Sequence, residues 1–132
     1  MKFDFDWNYI NAGAPYVTVS ELGLAFNSPS IAMLGDPEEV VIGFDQDKMT
    51  IGIMDAKYMS GAKTYAFHSR MRAGWIRIGC KEFVKYLSSI SGIKFSPAKR
   101  FVARYDKEER FLFVTIREEE IDNEKKQETT TE

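Results

Sequence analysis

The stretch that most constrains this chain is Asn27-Ser-Pro-Ser-Ile-Ala-Met-Leu-Gly35, which carries a helix start and a helix stop in quick succession. Asn27 or Ser28 can accept from the first free N–H groups. Pro29 suits the first turn, where its missing donor costs nothing. Gly35 supplies the left-handed residue that ends a helix. A helix of about two turns does not stand alone, because nucleation fixes several residues for the first hydrogen bond. The flanking segments must therefore hold it.

Both flanks read as strand pairs. Val17 and Val19, then Leu22, Leu24 and Phe26, alternate around a turn at Glu21-Leu-Gly23. After Asp36-Pro37, Val40, Val41, Ile42 and Phe44 form a strand, Asp45-Gln-Asp47 a turn, and Met49, Ile51 and Ile53 a return strand. The unit is strand, strand, helix, strand, strand, and its helix should plug a sheet or barrel.

Val17-Thr-Val-Ser-Glu-Leu-Gly23, the Pro-started helix ending Leu34-Gly35 and the acidic-turn hairpin resemble the swapped-hairpin domain of AbrB-type transition-state regulators (the SpoVT-AbrB type) and MazE-type antitoxins. The resemblance covers about Val17 to Ile53. It implies a small barrel of interleaved hairpins whose basic residues near the turn and helix hold DNA. Leu24 stands where that family usually has Arg, and Ser30 to Leu34 carries no Lys or Arg. The resemblance therefore supports the fold and weakens a DNA contact in this half.

A second pass of the same order follows the Gly- and Ser-containing connection Asp55 to Lys63. Thr64 to Ser69 reads as a strand, Arg70 to Gly74 as a turn, and Trp75 to Ile78 as a strand. Lys81 to Ile90 reads as a helix with Phe83, Val84, Leu87 and Ile90 on its buried stripe. Beyond Ser96-Pro97, Arg100 to Tyr105 and Arg110 to Ile116 read as strands around Asp106 to Glu109. Gly23 matches Gly74, Gly35 matches Gly92, and Asp45 matches Asp106. The expected fold is mainly β with two short helices, a pseudo-two-fold duplication (halves about 15–54 and 64–117) closing a small barrel. Residues 1–117 should be one globular domain. Before it, Phe3, Phe5, Trp7 and Tyr9 at period two suggest an edge strand, which either closes the core or binds a partner. Residues 118–132 are acidic and nearly without apolar side chains, the composition of a disordered tail.

The net charge of −2 hides a division. Residues 1–56 hold two bases against nine acids, residues 57–110 thirteen against four, and residues 111–132 three against seven. A basic centre can attract the acidic first half, an acidic protein or nucleic acid. Arg70, Arg72, Trp75 and Arg77 form the best candidate site, with Lys99, Arg100 and Arg104 extending it, because guanidinium groups beside an aromatic can bind phosphates and stack on bases. The acidic tail can itself lie over this cluster.

Other chemistry lacks its residues. His68 and Cys80 are the sole His and Cys, and each reads as packing: a half-buried strand histidine and a small apolar cysteine. A zinc site needs about four ligands, no phosphate-cradling glycine loop occurs, and Asp45, Asp47 and Asp106 read as turn residues. No catalytic residue, cofactor or metal is expected, and the chain is not expected to be an enzyme. One Cys, no leader-like start and no long apolar run suggest a cytoplasmic protein without membrane contact. The expected role is a small regulatory protein contacting DNA through its basic half, or a protein-interaction module that has lost DNA binding, with an uncharacterised enzyme as the third reading. A homodimer stays open.

Overall fold

The computed structural model describes residues 14–116, so the edge strand expected over Phe3 to Tyr9 and the tail expected over 118–132 lie outside the described residues. The first half contains β1 (Tyr16–Ser20), β2 (Gly23–Phe26), α1 (Ser28–Leu34), β3 (Glu39–Asp45) and β4 (Thr50–Asp55). The second contains β5 (Tyr65–Ala66), β6 (Met71–Arg72), β7 (Trp75–Gly79), α2 (Lys81–Ser91), β8 (Lys99–Val102), β9 (Arg104–Asp106) and β10 (Phe111–Thr115).

The signals read for α1 act as expected. Asn27 is the cap, its Oδ1 accepting from Ser30 N at 3.2 Å, and Gly35 closes the helix at φ 80°. Asn27 also reaches outside the helix. Its Oδ1 accepts from Tyr16 N at 3.0 Å and its Nδ2 donates to Ala14 O at 2.9 Å. One side chain thus ties the helix start to the entry of β1. In α2, Val84 and Leu87 are buried, Phe83 and Ile90 half-buried, and Gly92 ends the helix at φ 75°.

The strands make two antiparallel five-stranded sheets. The first has the order β6-β7-β2-β1-β8 and the second β5-β3-β4-β10-β9. Each sheet therefore mixes the two halves. In the first, β2 of one half pairs with β7 of the other; in the second, β4 pairs with β10. Val17, Val19, Leu24, Phe26, Ile76 and Ile78 of the first sheet meet Val40, Ile51, Ile53, Leu112 and Val114 of the second in one buried core.

The expected closed barrel is corrected to two open sheets. Three connections cross between them: one runs through α1 from β2 to β3, and at each of the other two a residue leaves the ladder and turns inward. Ala103, between β8 and β9, is buried, with its N–H donated to Pro15 O at 3.0 Å. Phe67, between β5 and β6, is fully buried and meets Phe26 edge-on at 5.2 Å. Such corners are how strands switch between packed sheets. They also split the two strands expected over Thr64–Ser69 and Arg100–Tyr105. The chain after Phe67 makes a 3₁₀ turn, His68–Arg70, so the first of these ends at Ala66.

Candidate nucleic-acid interface

The outer face of the first sheet is set by its register. Arg77 of β7 lies opposite Ala25 of β2, Ala25 opposite Thr18 of β1, and Thr18 opposite Arg100 of β8. One row across four strands therefore runs Arg77, Ala25, Thr18, Arg100. In the next row, Arg72 pairs with Trp75 on one side and Tyr16 pairs with Val102 on the other. Alternation along each strand sends Ile76, Ile78, Val17, Val19 and Phe101 into the core and these residues outward.

The two ends of this face are built alike. The Arg77 guanidinium lies 5.7 Å from the centre of the Trp75 ring, and the Arg100 guanidinium 4.4 Å from that of Tyr16. Each cation is held over an aromatic face by the ring's quadrupole, and a planar guanidinium so placed keeps its outer face available for stacking. Trp75 is 37% exposed. Between the two pairs the floor is low, made of Ala25 and Thr18. The Arg72 guanidinium donates to Ser69 O at 3.2 Å and Met71 O at 2.7 Å, which fixes it at the rim.

Charge sorts by sheet, not by half of the chain. The strands of the first sheet carry Arg72, Arg77, Lys99 and Arg100 and no Asp or Glu. Those of the second carry Glu39, Asp45, Asp55 and Asp106 against Arg104 alone. Mutual attraction of the halves does not use up the basic groups. Of the three ion pairs among the described residues, Lys57–Asp55, Lys85–Glu82 and His68–Asp36, only the last joins the first half to the second.

The expected cluster is thus partly gathered. Arg72, Trp75, Arg77 and Arg100 share one face, and exposed Arg70 flanks it on the 3₁₀ turn. Arg104 does not belong with them: it opposes Phe113 on the outer face of the second sheet. Lys99 opposes Val19, on the core-facing side of its strand. Tyr16 and Thr18 were missed by sequence reasoning. Their signal was the polar alternation of Tyr16, Thr18 and Ser20 against Val17 and Val19, which marks a strand with an outward face.

His68 and Cys80 are committed elsewhere. His68 is exposed, not half-buried in a strand, and its Nδ1 lies 2.8 Å from Asp36 Oδ2. The hydrogen bond to Asp36, then the charge of that carboxylate, raises its pKa above the ordinary value. Cys80 is buried, which pushes its thiol up, and its Sγ lies against Ile78 O. Asp45 and Asp106 each accept from a backbone N–H in their own turn. Among the described residues no three His, Cys, Asp or Glu side chains come together, and no helix is long and apolar enough to cross a membrane.

No protein-family model, curated protein or solved structure matches this chain.

Proposed function

We propose that this is a nucleic-acid-binding protein of regulatory type, and that the outer face of its first sheet holds a single strand. The observation that carries this reading is the acid-free row from Arg77 to Arg100 with an arginine stacked on an aromatic ring at each end. Arginines take phosphates, and flat cation–aromatic pairs accept unstacked bases with little regard to sequence. The row spans three strand spacings, about 14 Å. A rigid face of that width does not enter a duplex major groove about 12 Å wide, which favours a single strand over duplex DNA.

The AbrB-type resemblance and an internal duplication belong to the same proposal. Support for the duplication comes from the matched neighbours: β2 beside β7 in one sheet and β4 beside β10 in the other, each pairing one hairpin from either half. A duplicated chain would supply alone what two copies build elsewhere. No step of catalysis is assigned to it.

The test is binding of a labelled single-stranded oligonucleotide. Arg77→Ala with Arg100→Ala should weaken binding strongly at low salt, while Arg104→Ala on the other sheet leaves it near the native level. Equal losses from both would sink the assignment of the face. Absence of binding by the native protein would favour the second role, an interaction module for an acidic protein.

A further inference from the structure

Among the described residues, the strands of the first sheet carry four aromatic side chains. Phe26 and Phe101 lie in the core, whereas Trp75 and Tyr16 lie outside with an arginine over each ring. The two outer rings stand on β7 and β1 with β2 between them, so their strands are two spacings apart, about 10 Å. Their arginines stand on β7 and β8, three spacings or about 14 Å apart.

The start of α1 fixes this separation. Asn27 Oδ1 accepts from Tyr16 N at 3.0 Å, and Ser28 Oγ donates to Gly74 O at 2.9 Å. Gly74 immediately precedes Trp75 in the turn between β6 and β7. Two consecutive residues thus tie down the backbone at both aromatic positions. Between the two cation–aromatic pairs the row holds Ala25 and Thr18, neither broad enough to stack a base.

We infer, resting on the nucleic-acid reading of this face, that it takes an extended stretch of three unpaired nucleotides. The two outer bases stack on the Trp75–Arg77 and Tyr16–Arg100 pairs, and the middle one lies unstacked over Ala25 and Thr18. Reach sets this count. Bases stacked along one strand of a duplex are about 3.4 Å apart, and a strand drawn out straight reaches about twice that, about 7 Å per nucleotide. Adjacent bases therefore fall short of platforms about 10–14 Å apart, whereas bases two apart reach about 14 Å. Each base stacked on an aromatic is worth about five- to 150-fold in affinity. The ligand so defined is a loop or a strand end whose bases are free to splay.

The test uses oligonucleotides of one length on an abasic backbone, which hold the phosphate charge constant and vary only the bases. With the full-length protein at low salt, two adenines separated by one abasic residue should bind about fivefold or more tightly than two adjacent adenines. The adjacent pair should come close to a single adenine. Trp75→Leu and Tyr16→Leu, each checked for folding by circular dichroism, should bring the separated pair down to that same level. Equal affinity of the native protein for adjacent and separated pairs would overturn the inference. Equal affinity for the all-abasic strand and a fully based strand would overturn it too, while leaving the arginines as a phosphate surface and the nucleic-acid reading intact. Failure of even the fully based strand to bind removes that reading and the inference together.

Discussion

Substituting Gly23 by alanine tests the junction on which both sheets' shared architecture depends. Gly23 begins β2 and lies opposite Gly79 of β7, where the first half of the chain meets the second. Its φ is 153°, a conformation that side chains other than glycine rarely adopt. An added β carbon would strike the Ile78 carbonyl oxygen and sit 2.9 Å from Cys80 N, both backbone atoms. The Cys80 N–H is the donor to Leu22 O at 3.0 Å, so relief of the clash sacrifices that bond or shifts β7. Backbone strain of about 1–3 kcal/mol plus a lost hydrogen bond of about 0.5–1.5 kcal/mol predicts a loss of about 1.5–4.5 kcal/mol. Against a total stability of roughly 5–15 kcal/mol, that is a large share. Urea unfolding followed by circular dichroism measures it. Gly43→Ala is the matched control, a strand glycine with open space around its added carbon and a change expected within about 0.5 kcal/mol. If Gly23→Ala were as mild as Gly43→Ala, the β2–β7 contact would not be the close approach described.

Asn27→Ala should lower stability by about 1–3 kcal/mol in the same urea assay, because it removes a helix cap and two further bonds to the entry of β1; a change indistinguishable from a surface substitution would contradict that role. His68 predicts a pH dependence. Its pKa is raised in the folded protein, so the stability it contributes is fully present below the ordinary value of 6.5 and is lost as pH rises through the folded value. It is the chain's only histidine, and the urea midpoint should fall across neutral pH in the native protein but not in His68→Ala, with the His68 ring titration followed by NMR as the direct check. A native midpoint that is flat through this range would refute the link.

Local signals made the two helices and most strand pairs legible. Asn27, Pro29 and Gly35 bracket α1 by capping chemistry that acts within one turn, and Val84 with Leu87 marks the buried face of α2 by helical spacing alone. The corners at Phe67 and Ala103 were not legible. A strand that changes sheets keeps strand-like composition on both sides of the change, and only the tertiary packing of Phe67 against Phe26 shows that it bends. The site was half legible for the same reason. Arg72, Trp75 and Arg77 are near in sequence, whereas Arg100 joins them only through β8 pairing with β1. Arg104 is four residues from Arg100, yet the crossing at Ala103 carries it to the other sheet.

Salt dependence of single-strand binding is the sharpest probe of the acid-free face of the first sheet. Contacts from Arg72, Arg77 and Arg100 to phosphates would release bound counterions, giving a slope of log K against log salt of about −2, at about −0.7 per contact. Anisotropy titrations of the full-length protein over a salt series should show that slope, and Arg77→Ala with Arg100→Ala should remove about two-thirds of it. No binding at low salt, or a slope untouched by the double substitution, would rule this face out as the binding surface.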